Sequence, residues 1–161
     1  MNTYNIEIKV NGEWREAAVT ATDTLLEVLR SKLDAVEVKN GCEQGDCGTC
    51  TVKLNGLTVK SCLILAVEVD GQEVTTLEGM MSDGLTPLQQ SFLQHNSFQC
   101  GYCAPGMIIA AEDLLETNPT PTDEEIKEAL AGNLCRCTGY TPIIDAIKDT
   151  IKSKSSGGSH E

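Results

Sequence analysis

Eight cysteines carry most of the chemistry open to this chain, and they stand in two groups of four. Cys42, Cys47, Cys50 and Cys62 form the first; Cys100, Cys103, Cys135 and Cys137 form the second. Thiolates bind zinc or iron–sulfur clusters, and thiols also pair as disulfides. Disulfides fit poorly. The opening MNTYNIEIKV lacks a basic start, an apolar run and a small-residue cleavage site, so it is not a secretory signal. The 161 residues are also enough to build a core without covalent staples. A cytoplasmic location is the expectation, with export as a passenger on a signal-bearing partner as the other route.

The stretch GCEQGDCGTC, residues 41–50, has the spacing C-x4-C-x2-C, and Cys62 follows after eleven more residues. That pattern matches a plant-type [2Fe–2S] centre, in which three ligands share one loop and the fourth comes from elsewhere. Zinc, the alternative, is commonly held by C-x2-C knuckles. Gly41, Gly45 and Gly48 let backbone amides turn inward and donate hydrogen bonds to sulfur. The second group is CGYC at 100–103 and CRC at 135–137, with 31 residues between them. Alone, CxxC reads as a redox dithiol. Four thiols converging in a reducing compartment would instead bind metal, and the short CxC suits two ligands to one iron. Arg136, between Cys135 and Cys137, either offsets cluster charge or makes a structural salt bridge.

Nothing in the chain looks like a catalytic apparatus. His160 lies in a polar tail and His95 has no partner at a suggestive spacing, so both read as surface histidines. Glu124 and Glu125 begin a helix, where negative charge is favourable. No GxGxxG or phosphate-loop pattern appears. The net charge of −12, with no basic cluster, argues against nucleic-acid binding. No apolar run approaches the roughly 20 residues that span a bilayer. Two electron carriers without a substrate site make a relay, so the catalytic cofactor belongs in a partner.

The elements that must position these thiols fall into two units. YNIEIKV (4–10) alternates at period two, and Asn11-Gly12 offers a hairpin turn before WREAAVT. Thr24 caps a helix over Leu25–Lys32, with Glu27 as reciprocal partner. TVKL and LTVKSCLI flank a second Asn-Gly turn, and Val67, Val69, Val74 and Leu77 predict short closing strands. Turn-rich GMMSDGLT, 79–86, then marks a boundary. Helices follow at Thr86-Pro87, at Pro105, at the Thr122–Glu125 capping box and at Thr141-Pro142. The expected fold is α+β: a strand-rich domain over 1–78, a linker at 79–85, a four-helix bundle over 86–152 and a flexible tail at 153–161.

GCEQGDCGTCTV, QCGYCAPGMI and GNLCRCTGY, in that order, resemble the iron–sulfur subunit of the xanthine dehydrogenase family of molybdenum hydroxylases, over approximately residues 3–150. The resemblance implies a plant-type ferredoxin-like β-grasp domain, with Cys42, Cys47, Cys50 and Cys62 on the outer [2Fe–2S] cluster. A helical domain follows, with Cys100, Cys103, Cys135 and Cys137 on the inner one. It implies that Gln99 hydrogen-bonds the pterin and that Cys137 both ligates iron and lies beside the pterin amino group. Electrons would pass from a molybdopterin-type cofactor on a large partner subunit, through the inner and outer clusters, usually to FAD on a third subunit. A heterotrimer, or a dimer of heterotrimers, is the expected assembly. Carbon monoxide oxidation, aromatic thioester reduction and a freestanding two-cluster ferredoxin are the alternatives. Thr49, Tyr102 and Ala104 depart from the commoner Ala, Phe and Thr or Ser. The first two could alter hydrogen bonding and potential, or only packing.

Overall fold

The computed structural model describes residues 2–81 and 84–156. Strands β1 (Thr3–Val10) and β2 (Glu13–Thr20) form an antiparallel hairpin, turned by Asn11 and Gly12 at φ 51° and 88°. Helix α1 (Leu25–Ser31) starts from the expected capping box: Glu27 N–H donates to the Thr24 hydroxyl, and the Glu27 carboxylate accepts from Thr24 N–H. Strands β3 (Thr51–Leu54) and β4 (Leu57–Lys60) flank the second Asn-Gly turn. With β5 (Glu73–Thr75) they give a sheet of order β2-β1-β5-β3-β4, in which only β1 and β5 run parallel. Ile6, Ile8, Val10, Val19, Val52 and Val74 point from the sheet into one core with Leu25, Leu26, Val28 and Leu29 of α1. A mixed sheet gripping one helix is the β-grasp arrangement.

Val67 and Val69 do not form a strand. Ala66–Val69 is a single 3-10 turn, because its approach pairs with the start of α1 instead of the sheet. Leu25 N–H donates to the Ile64 carbonyl and Ala66 N–H to the Asp23 carbonyl. Ala66 and Val69 are then carried into the core.

The second hydrophobic cluster is helical. It is built by α2 (Pro87–Gln94), α3 (Ala104–Thr117), α4 (Asp123–Leu130) and α5 (Thr141–Ser156) around Leu88, Phe92, Met107, Ile108, Ile126, Leu130, Ile143 and Ile147. Capping boxes at Thr86/Gln89 and Thr122/Glu125 open α2 and α4. Helix α5 continues through Ser156, into the segment expected as a polar tail; the rest of that tail lies outside the described residues. Between the two cores, Lys53 of β3 reaches α3 and ion-pairs with Glu116 and Asp113, while the Thr58 hydroxyl donates to Asp113. Among the described residues no helix is long and apolar enough to cross a membrane.

Candidate iron–sulfur sites

The loop between α1 and β3 wraps round its own cysteines. Glu43, Gly45 and Gly48 take positive φ, which folds the amides inward. Cys47 N–H donates to the Cys42 sulfur at 3.4 Å. Amides of Cys47 and Gln44, then the Cys47 side chain, pull the Cys42 thiol down to about 6. Cys62 sits in a 3-10 turn, Ser61–Leu63, directly after β4. Buried Ser61 fixes that turn, because both its N–H and its hydroxyl donate to the Cys50 carbonyl. Burial and the neighbouring Cys50 thiol push Cys62 up to about 11. The four thiols thus meet two by two, Cys42 with Cys47 and Cys50 with Cys62. The space is tight: a Cβ on Gly41 would lie 2.7 Å from the Cys47 sulfur, and one on Gly45 would lie 2.6 Å from Leu63.

The helical site repeats the arrangement with different elements. Cys103 is the N-cap residue of α3, whose first turn directs partial positive charge towards the thiols. Burial, then the Cys135 thiol, pushes Cys103 up to about 12. The sulfurs of Cys100 and Cys137 are 3.8 Å apart, both on exposed residues. CRC, expected to suit two ligands to one iron, does not bring its own two thiols together. Cys135 turns towards Cys103 and Cys137 towards Cys100. Burial opposes ionisation of Cys135, yet the Thr138 hydroxyl and the amides of Cys137 and Thr138 bring its thiol below the ordinary value. Gln99 is exposed beside Cys100.

Among the described residues, no three cysteine, histidine or carboxylate groups converge as ligands for a single ion. Two thiols for each of two irons is the set a [2Fe–2S] core needs, and both groups supply it. Inward amides fit the core's negative charge. His95, read from the sequence as a surface histidine, lies 3.5 Å from Asp149 of α5.

What sequence reasoning missed is the seam between the sites. Leu134 N–H donates to the Cys47 carbonyl at 2.8 Å, so a cysteine of one group is hydrogen-bonded to the residue before a cysteine of the other. Buried Asn133 donates to the Gly48 carbonyl at 3.0 Å, and the Tyr140 hydroxyl, which Cys135 N–H reaches at 3.0 Å, donates to the Asn133 carbonyl. A Cβ on Gly106 would lie 2.2 Å from the Gly48 carbonyl oxygen. Glycine inside a helix costs roughly 1 kcal/mol against alanine, so its presence in α3 was the one local signal of a close approach.

Comparison with known proteins agrees with this geometry. Residues 8–77 match a family described as a 2Fe-2S iron-sulfur cluster binding domain, and residues 76–148 match a [2Fe-2S] binding domain. The nicotine 6-hydroxylase small subunit of Paenarthrobacter nicotinovorans is 47% identical, over 89% of this chain and 87% of its own length. The nicotinate dehydrogenase small FeS subunit of Eubacterium barkeri is 46% identical, over 94% and 98%. A chain of quinoline 2-oxidoreductase from Pseudomonas putida 86 superposes with a TM-score of 0.90 at 40% identity, covering 98% of this chain and 99% of that one. Two [2Fe–2S]-binding units joined at a hydrogen-bonded seam, with relatives of this length, place the chain among the iron–sulfur subunits of the xanthine dehydrogenase family of molybdenum hydroxylases.

Proposed function

We propose that Cys42 and Cys47 hold one iron of the outer cluster and Cys50 and Cys62 the other, while Cys100 with Cys137 and Cys103 with Cys135 hold the inner pair. The observation that carries this is the two-by-two meeting of thiols in both groups. When bound, each cluster takes up one electron at a time. The chain's own residues keep the two sites at fixed separation through the Cys47–Leu134 hydrogen bond, and shield Cys50, Cys62 and Cys103 from water. Substrate oxidation belongs to a larger partner subunit; this chain is the electron-transfer subunit of the complex.

Gln99 and Cys137 face that partner in this reading, with Gln99 hydrogen-bonding a molybdopterin-type cofactor and Cys137 next to it. The surface around them supports docking over free diffusion, since Tyr102 is 45% and Leu134 52% exposed beside the exposed Cys100 and Cys137. FAD on a further subunit completes the reading, in a heterotrimer or its dimer. The test is metal analysis of the intact assembly. About four irons per copy of this chain, with one molybdenum in the assembly, is the expected result. Zinc in place of iron would overturn it, and four irons in an intact assembly without molybdenum would leave a diffusible ferredoxin.

A further inference from the structure

Two hydroxyls mark this chain's departures near the thiols, and the structure sends them to different partners. Tyr102 donates its hydroxyl proton to the Asn40 carbonyl. Thr49 is 7% exposed, and its hydroxyl lies 3.2 Å from the Cys47 sulfur. Among the described residues the other acceptor in reach is the Lys39 carbonyl, at 3.4 Å. The backbone of Gly41 closes over this pair, because a Cβ there would lie 2.7 Å from both the Cys47 sulfur and the Thr49 oxygen.

We propose that Thr49 is a tuning residue of the outer cluster, its hydroxyl donating to the Cys47 sulfur and raising the cluster's reduction potential. The proposal rests on Cys47 being an iron ligand. A free thiol could share the hydrogen bond either way, but an iron-bound thiolate has no proton, so Thr49 must be the donor. Reduction adds one negative charge, part of which spreads onto the ligand sulfurs. A buried donor therefore stabilises the reduced form more than the oxidised one. The loop's amides converge on Cys42, so the hydroxyl supplies Cys47 with a donor of its own. At the helical site Thr138 does the same: its hydroxyl accepts from Tyr140 N–H and donates to the Cys135 sulfur. Cys47 and Cys135 are the two ligands that the Leu134 hydrogen bond joins across the seam. Glu43 and Asp46 bring negative charge to the outer loop, which disfavours reduction, and Thr49 works against that. Its function is to keep the outer cluster a good acceptor for electrons leaving the inner one.

The experiment is a redox titration of the purified complex, following both cluster signals by electron paramagnetic resonance, for wild type, Thr49→Val and Thr49→Ser. Thr49→Val should lower the outer cluster's affinity for an electron about tenfold, a shift of about 59 mV for a one-electron couple. The inner signal and the iron content should not change. Thr49→Ser keeps the hydroxyl and should titrate as wild type does. An exchangeable proton coupled to the reduced outer cluster should be seen by electron–nuclear double resonance in wild type and Thr49→Ser and be lost in Thr49→Val. An unchanged potential in Thr49→Val, or an equal shift in Thr49→Ser, overturns the proposal by leaving only the methyl group's packing. If Thr49→Val fails to load its outer cluster, Thr49→Ala against Thr49→Ser gives the same decision, equal potentials overturning it. A wild-type complex without an outer-cluster signal fails the ligand reading itself, and this proposal with it.

Discussion

A cysteine's surroundings decide how it serves a relay. Cys42 and Cys47 lie on a half-exposed loop with amide and hydroxyl donors, whereas Cys50 and Cys62 are buried against the sheet. Cys47 has a further task, since its carbonyl accepts the hydrogen bond that joins the two sites. Cys47→Ser keeps that backbone bond and replaces the soft sulfur by a poorer oxygen ligand. The outer cluster should then be lost or altered, and steady turnover with an acceptor on the FAD side should fall by at least about tenfold, a barrier change of roughly 1.4 kcal/mol. Rapid mixing with substrate should still reduce the molybdenum centre once. Normal steady turnover in this variant would mean that electrons leave by a path that avoids the outer cluster.

At the scale of elements, α3 and α4 hold the seam. Helix α3 brings Gly106 against the cysteine loop, and α4 ends just before the segment Gly132–Cys135. Gly106→Ala gains helix propensity of roughly 1 kcal/mol, yet its Cβ meets a backbone carbonyl that cannot swing away. Net destabilisation of about 1–3 kcal/mol is expected, with weaker magnetic coupling between the reduced clusters as the sites part. Unchanged coupling would show that the seam does not set their separation. Removing the α4 cap with Thr122→Ala leaves the Glu125 N–H without its acceptor and should cost about 1 kcal/mol in a denaturant titration. These caps were legible in the sequence, as were both Asn-Gly hairpins, because each is written in residues at most three apart. The spacing of Cys42, Cys47, Cys50 and Cys62 was legible because three of the four share one short loop and the last follows within twelve residues. The 3-10 turn at Ala66–Val69 was not, since alternating valines look alike whether a sheet or a helix start takes their hydrogen bonds. The splitting of Cys135 from Cys137 was hidden too. Its cause is the position of Cys100 and Cys103, more than thirty residues away.

For the whole molecule the question is whether two small cores behave as one body. Apart from the seam, the main tie between them is Lys53, a β3 residue whose side chain is 9% exposed and meets Glu116 and Asp113 on α3. A buried ammonium needs its carboxylates, and here both come from the other core, so the charge is satisfied only when the cores are docked. Glu116 is more than half exposed, which limits the strength of the pair. Lys53→Met keeps the apolar stem and removes the charge, leaving Asp113 its bond from the Thr58 hydroxyl. Each core should survive, since neither hydrophobic cluster includes Lys53. Docking should weaken by about 1–3 kcal/mol. Calorimetry of the loaded chain should then resolve the single unfolding transition into two, the helical core separating from the sheet. A single transition with unchanged midpoint would assign the coupling wholly to Asn133, Leu134 and Gly106, and would make the seam between the clusters also the joint that holds the molecule together.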